Sequence, residues 1–161
     1  MKILGVIPAR GGSKGVIGKN QKMLSGKPLI QYTIETSLQS NLSDVIVSTD
    51  DEDIAAISAA LGIKVPFIRP AEFASDSAES IDVAIHALQF MQEKNDNNYD
   101  AVMLLQPTTP FRSFEDINNA IDLLINSNDA DSVISVVDVE GHHPARMKYI
   151  IDGILIDPPY C

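Results

Sequence analysis

Five compact runs of apolar residues predict the strands of a buried sheet. They cover residues 3–7, 44–49, 63–68, 99–106 and 131–137. Runs of this length with little polar alternation are typical of strands that are covered on both faces. Pro66 interrupts the third run, so the strand predicted there is short. The last run predicts another buried strand.

The segments between these runs carry apolar residues at helical spacing. Helices are predicted from Pro28 to about residue 38, over residues 51–61 up to Gly62, over residues 79–94, and from an N-cap at Ser113 to about residue 127. On the third helix, one apolar face is predicted, consisting of Ile81, Ala84, Ile85, Leu88 and Met91. Near the end of the sequence, residues 148–156 predict a β-hairpin that turns at Asp152-Gly153.

Strands that alternate with helices predict an α/β fold with a mostly parallel sheet covered on both faces and a C-terminal hairpin. Ligands of such sheets bind beyond the carboxyl ends of the strands. The loop after residue 7, the pair Asp50-Asp51, and the segment 106–112 each follow a strand, so we expect them to meet at one edge. We predict one nucleotide-binding domain over residues 1–140, with a hairpin or dimerisation subdomain beginning at residues 141–161.

The charge of the chain is divided unevenly. Its 161 residues carry a net charge of −10, yet Glu35 is the first acidic residue. Before it lie six cations, Lys2, Arg10, Lys14, Lys19, Lys22 and Lys27. An acidic protein is a poor partner for nucleic acid or for an anionic membrane, and no apolar run approaches the ~20 residues of a membrane span. The N-terminus lacks a signal-type segment and the single cysteine is Cys161, so a cytoplasmic protein is expected.

Four glycines and three cations follow the first strand, in the loop from Arg10 to Asn20. Glycines let backbone N–H groups approach a ligand closely, and cations neutralise a phosphate, so this loop predicts an anion site. Neither the Walker A spacing nor G-x-G-x-x-G is present. The alternative is a glycine-rich surface turn with solvated lysines.

Several segments resemble those of the acylneuraminate cytidylyltransferases, which are the CMP-sialic acid and CMP-legionaminic acid synthetases. The opening PARGGSKG at residues 8–15, with Lys19-Asn20 and GKPLI at 26–30, is similar to the start of that family. QPTTPFR at 106–112 resembles its Q-P-T-S-P-L-R segment. Arg69-Pro70, followed by ASD at 74–76 and Ser80, and STDD at 48–51 are similar to further family segments.

The resemblance implies a three-layer, Rossmann-like nucleotidyltransferase fold and an enzyme that joins CMP from CTP to the anomeric hydroxyl of a nonulosonic acid. It implies catalytic roles for Arg10 and Lys19. The substrate-binding residues implied for CTP and the sugar acid are Ala9, Gly11, Gly12, Ser13, Lys14, Asn20, Arg69, Ser80, Gln106, Thr108 and Arg112. A homodimer is expected. The chain corresponds to the first two-thirds of such enzymes, so we expect the Mg²⁺-binding carboxylates beyond residue 161 and no metal ligand within it.

Some alternatives remain open at the level of sequence. Asp50-Asp51 could orient the loop cations or cap the second helix, and Ser80 could cap the third. For His142-His143 a role without metal is favoured, because a zinc site needs more ligands than these two histidines. His86 is interpreted as a structural residue. The chain could also bind CTP without turnover, or act on another sugar with another nucleotide.

Overall fold

The computed structural model describes residues 1–13, 15–75, 77–95, 98–127, 129–137 and 148–156. The chain divides into two compact units, Met1–Asp131 and Ser132–Cys161. The first unit contains the strands β1 (Ile3–Pro8), β2 (Met23–Leu24), β3 (Lys27–Pro28), β4 (Asp44–Ser48) and β5 (Ala101–Leu104). Its helices are α1 (Leu29–Leu38), α2 (Glu52–Ala60), α3 (Ser80–Asn95) and α4 (Phe114–Asn126), with short 3-10 turns at Lys19–Gln21 and Ala71–Phe73.

The central sheet of the first unit is parallel, in the order β4-β1-β5. Val6 of β1 lies opposite Ile46 of β4 and Leu104 of β5. All three strands therefore end at the same edge, where the loops after them begin. This confirms the expected parallel sheet. Parallel strands need long crossover connections, and helices supply them here.

Both faces of the sheet are covered, which gives three layers. Alternate residues of β1 divide between the faces, because successive side chains of a strand point in opposite directions. Ile3 and Ile7 belong to a core cluster with residues of α1, α2 and α4, whereas Leu4 and Val6 belong to a second cluster with α3. Full burial of one aliphatic side chain of this kind contributes about 1.5–3 kcal/mol.

The run at 63–68, predicted as a short strand, forms only two isolated parallel bridges. Ile46 is bridged to Lys64 and Thr49 to Ile68, beside β4. The break predicted at Pro66 is thus observed, but the residues on either side of it form single bridges rather than a short strand. Pro66 has no N–H to donate, so the ladder cannot run unbroken through this segment.

The buried strand predicted at 131–137 is wrong. Those residues have no strand assignment, and Ile134 and Val137 are 60% and 81% exposed. A strand requires a hydrogen-bonded neighbour, and no described residue pairs with this segment. An apolar run alone therefore did not decide its structure.

The core face of α3 differs in part from the predicted one. Val83, Ala87 and Met91 are buried, whereas Ile81 and Ile85 are about half exposed. Both sets of residues have helical spacing, so periodicity could not distinguish them. Ala84 and Met91 of the predicted face are buried, so that part of the prediction is confirmed.

The local signals at helix ends and turns are confirmed. Ser113 caps α4 in a capping box with Asp116. In the second unit, β6 (Tyr149–Ile151) and β7 (Ile154–Ile156) form the expected antiparallel hairpin. Asp152 and Gly153 have φ angles of 52° and 81°, which a tight two-residue turn requires. No helix among the described residues is long and apolar enough to span a bilayer.

Candidate functional site

A cleft of about 230 Å³ lies in the first unit, beyond the carboxyl ends of β1 and β5. Its position is the one that a parallel α/β sheet favours for a ligand. Eight of the residues predicted for the site line it, namely Arg10, Ser13, Lys19, Asn20, Arg69, Ser80, Gln106 and Thr108. The structure therefore brings together segments that are almost 100 residues apart in sequence.

Arg10 and Lys19 form the cationic side of the cleft. The Arg10 guanidinium donates through Nη1 to the carbonyl oxygen of Ser75, at 3.0 Å, across the cleft. Lys19 begins the 3-10 turn that follows Gly18, whose φ of 63° favours glycine. Lys19 is half-buried, and its ammonium has no hydrogen-bond or ion-pair partner among the described residues. A cation held in this way is available to an anionic ligand.

Asn20 has a structural contact as well as a place in the cleft. Its side chain is only 4% exposed, and Nδ2 donates to the carbonyl oxygen of Arg10 at 3.0 Å. The side-chain amide therefore connects the 3-10 turn to the glycine loop. This contact accounts for its burial without any ligand.

The backbone amides of the glycine loop are not equally available. The Gly11 N–H donates to Asp50 Oδ1 at 3.0 Å, and the Ser13 N–H donates to the carbonyl oxygen of Gly11 at 2.9 Å. The Gly12 N–H has no partner among the described residues. Of these three amides, only that of Gly12 is free to bind a phosphate without breaking an existing hydrogen bond.

Asp50 and Asp51, whose role the sequence left open, make different contacts. Asp51 caps α2, because its Oδ1 accepts from the N–H groups of Asp53 and Ile54 at 2.9 and 3.0 Å. Asp50 instead contacts the glycine loop through Gly11. Asp51 therefore realises the capping alternative, and Asp50 accepts a hydrogen bond from a backbone amide of the loop.

Arg69 is buried, with 5% of its surface exposed, and it holds the cleft wall together. Its Nε donates to Ser48 Oγ at 3.0 Å, Nη2 donates to the Ser48 carbonyl oxygen, and Nη1 donates to the Phe73 carbonyl oxygen at 3.3 Å. Burial lowers the pKa of Arg69, the negative charge of Asp50 raises it, and the positive charge of Arg10 lowers it. Three of its five N–H donors thus have protein partners.

Ser80, Gln106 and Thr108 also line the cleft, and Thr108 Oγ1 is 3.5 Å from Gln106 Oε1. Six further lining residues were not predicted from the sequence, namely Pro8, Phe73, Ser75, Ala78, Val83 and Pro107. Ser75 and Phe73 could have been found, since both lie in the segment 69–80 that carries the resemblance. Val83 has no sequence signal, because it resembles any core position of a helix.

Four described residues that were predicted for the site do not line the cleft, namely Ala9, Gly11, Gly12 and Arg112. Ala9 is fully buried in the core behind the loop. The Arg112 carbonyl oxygen accepts from Thr36 Oγ1 at 3.3 Å; burial of the Arg112 guanidinium lowers its pKa, and the nearby Asp116 raises it. Lys14 lies outside the described residues, as do His142 and His143.

The described residues contain no group of three or more histidine, cysteine, aspartate or glutamate side chains that could hold a metal ion. His86 packs in an aromatic cluster instead. Its ring centroid is 4.7 Å from that of Phe67 and 4.9 Å from that of Phe73. Its buried Nδ1 has no hydrogen-bond partner among the described residues.

The relatives found among known proteins agree with one another. The chain is 44% identical over 137 residues to a CMP-N,N'-diacetyllegionaminic acid synthase of Legionella pneumophila, covering 84% of this chain and 58% of the relative. It is 43% identical over 136 residues to an N-acylneuraminate cytidylyltransferase of Escherichia coli, covering 84% and 31%. The chain thus spans about a third to three fifths of the length of these relatives.

A solved structure agrees with the sequence relatives. It is a CMP:2-keto-3-deoxy-manno-octonic acid synthetase complexed with CTP, with a TM-score of 0.65 and 27% identity over 80% of this chain and 49% of that one. The cytidylyltransferase family matches residues 4–148. With that match over most of its length, the chain belongs to the cytidylyltransferase family.

Proposed function

We propose that this chain carries the nucleotide site of an enzyme that joins CMP from CTP to the anomeric hydroxyl of a sialic-acid-like nonulosonic acid. The hydroxyl oxygen attacks the α-phosphorus of CTP, the bond from that phosphorus to the bridging oxygen breaks, and pyrophosphate leaves. The hydroxyl proton passes to solvent or to a base. What supports this is the cleft, in which Arg10 and Lys19 converge at the strand ends of a cytidylyltransferase.

Positioning and electrostatics supply most of the catalysis in such a transfer, because charge gathers on the phosphoryl oxygens of the transition state. In this proposal Arg10, Lys14 and the Gly12 amide hold the triphosphate, and Lys19 offsets the charge that develops at the α-phosphate. The half-buried position of Lys19 strengthens its effect, since charges interact more strongly away from bulk water.

The cleft wall on the other side suits the nucleoside. Arg69 and Ser80 are proposed to contact the base and ribose, and Gln106 offers an amide that can both donate and accept. In this proposal the nucleoside binds in the cleft of about 230 Å³, and the sugar acid binds outside it.

Mg²⁺ is proposed as the cofactor, because triphosphates are generally transferred as complexes with this ion. When bound, it neutralises phosphate charge. The described residues offer no cluster of carboxylates that fits it. No step of the proposal is therefore assigned to the metal.

Thermal unfolding with each of four nucleotides tests the base assignment. A ligand that binds only the folded state raises the melting temperature, so CTP should raise it more than UTP, GTP or ATP. A shift with UTP and none with CTP would refute the cytidylyl assignment. Pyrophosphate release with CTP, Mg²⁺ and sialic, legionaminic or pseudaminic acid then identifies the acceptor, and CTP binding without release would favour a binding-only chain.

The role of Lys19 is tested by substitution with alanine. Losing one group that stabilises developing charge typically lowers the rate by about 10²- to 10³-fold. Lys22→Ala is the matched control, because Lys22 follows the same turn and is exposed outside the cleft. If Lys19→Ala and Lys22→Ala released pyrophosphate at equal rates, Lys19 would have no role in the mechanism.

A homodimer in the cytoplasm completes the proposal. The hairpin exposes Tyr149, Ile150, Ile151 and Ile154 by more than half, and apolar surface of this kind is typical of an interface. Light scattering after gel filtration would measure the mass. A monomeric mass at micromolar concentration would contradict the dimer.

A further inference from the structure

The peptide unit between Arg10 and Gly11 is held from both sides by side chains. Its carbonyl oxygen accepts from Asn20 Nδ2 at 3.0 Å, and its N–H donates to Asp50 Oδ1 at 3.0 Å. Two opposed hydrogen bonds on one peptide fix the direction of its plane. That plane determines ψ of Arg10 and φ of Gly11, and so the course of the chain on either side.

This peptide is the point where the loop leaves the sheet. The Ala9 N–H still donates to the Ser48 carbonyl oxygen at 2.9 Å, as a continuation of the β1–β4 ladder. Beyond Gly11, the described backbone bonds of the loop are local, such as that from the Lys19 N–H to the Val16 carbonyl oxygen. Asp50 therefore provides the last attachment of the loop backbone to the β4 side.

A glycine at residue 11 makes such an attachment necessary. Glycine has access to both signs of φ, so a peptide that precedes it can rotate at little cost unless its N–H or carbonyl is held. Rotation of this peptide would redirect Arg10, whose guanidinium crosses the cleft to Ser75. An oxygen acceptor placed at the Gly11 N–H, as Asp50 Oδ1 is, opposes this rotation because turning the peptide would break the hydrogen bond.

Asp50 also lies in the electrostatic environment of the cleft wall. Its negative charge raises the pKa of the buried Arg69, against the lowering by burial and by Arg10. Asp51 has no comparable position, because its Oδ1 accepts from Asp53 and Ile54 and, at 3.2 Å, from Gln21 Nε2.

We propose that Asp50 is a positioning residue of the nucleotide site, which locks the Arg10–Gly11 peptide so that Arg10 faces the cleft. The inference rests on the proposed function for its effect on CTP. The lock itself concerns only the chain. We expect this lock to depend on the position of the acceptor oxygen rather than on the negative charge of Asp50.

Two substitutions separate the position of the acceptor from its charge. Asp50→Asn keeps an oxygen at the same place and loses the charge, whereas Asp50→Glu keeps the charge and moves the acceptor by one methylene. Glu52→Gln is the control, because it removes a charge two residues away on an exposed side chain. Melting temperatures confirm that each variant is folded.

Amide hydrogen exchange at Gly11, measured by NMR without nucleotide, reports the lock directly. We expect the exchange rate to rise about tenfold or more in Asp50→Glu and to stay within about threefold in Asp50→Asn and Glu52→Gln. The dissociation constant of CTP should follow the same order. A merely structural role would lower the melting temperature without this selective change at Gly11.

The opposite order, or equal effects of Asp50→Asn and Asp50→Glu, would overturn the proposal. So would unchanged Gly11 exchange in both variants. If the unsubstituted protein does not bind CTP, the proposed function fails, but Gly11 exchange still decides whether Asp50 locks the peptide.

Discussion

Gly11→Ala is the substitution that tests most directly how the glycine loop is built. A methyl group at residue 11 would lie 2.4 Å from Asp51 Oδ2, 2.9 Å from its Cβ and 3.0 Å from its Cγ. Carbon atoms do not approach side-chain atoms this closely, so either Asp51 or the loop backbone must move. Asp51 is not free to move without loss, because it caps α2 and accepts from Gln21.

The expected cost follows from those contacts. Loss of an aspartate N-cap costs about 1 kcal/mol, and loss of the hydrogen bond from Gln21 costs about 0.5–1.5 kcal/mol. Gly11→Ala should therefore lower the free energy of unfolding by about 2 kcal/mol. For a domain of this size that corresponds to a melting temperature lower by about 4–8 °C.

Urea unfolding of Gly11→Ala and Gly12→Ala measures the effect against a matched control. A methyl group at Gly12 meets no atom within 4 Å, so that variant should be as stable as the unsubstituted protein or slightly more so. In an Asp51→Ala background the cost of Gly11→Ala should shrink, since the clashing side chain is gone. Equal midpoints for the two glycine variants, or a full cost in the Asp51→Ala background, would refute this reasoning.

Three further predictions concern the scaffold of the cleft. Ser113→Ala removes the capping box of α4 and should lower the free energy of unfolding by about 1 kcal/mol in urea; an unchanged midpoint would contradict the role of the cap. Arg69→Lys keeps the charge but cannot reproduce the forked contacts with Ser48. Calorimetry should therefore show a free energy of unfolding that is lower by about 2–3 kcal/mol. An unchanged free energy of unfolding would show that these contacts are dispensable. Burial raises the pKa of the Asp44 carboxyl. Hydrogen bonds from Lys64 and Tyr99 lower it by a larger amount, so the pKa lies below the usual value. Asp44 therefore stabilises the fold above its unfolded pKa, and this contribution is lost as the pH falls through its folded pKa. Between pH 7 and pH 3, the free energy of unfolding should fall less in Asp44→Asn than in the unsubstituted protein. Parallel curves of unfolding free energy against pH would contradict this.

Much of the candidate site could be predicted from sequence because its residues lie in short, contiguous segments. Arg10, Ser13 and Lys19 belong to one loop after a strand, and Gln106 and Thr108 belong to another. The parallel order of the strands then brings both loops to one edge. Residues such as Val83 carried no signal, because a core side chain becomes part of a cleft only through packing.

The availability of individual donors could not be predicted. The sequence indicated that the amides of Gly11, Gly12 and Ser13 could bind phosphate, but two of them already have protein acceptors. Likewise, Arg69 resembled a ligand-binding arginine, yet its main contacts are with Ser48. Which partner a donor takes depends on distances between segments that sequence spacing does not contain.

Features that depend on local geometry could be read from the sequence alone: the four helices, the cap at Ser113, the turn at Asp152-Gly153 and the short segments typical of the family. Each of these depends on neighbouring residues, so the pattern was sufficient. Tertiary packing settled that residues 131–137 form no strand and that Asp50 accepts from the Gly11 amide. Those outcomes depend on which distant groups reach hydrogen-bonding distance, and that is set by packing of the whole unit.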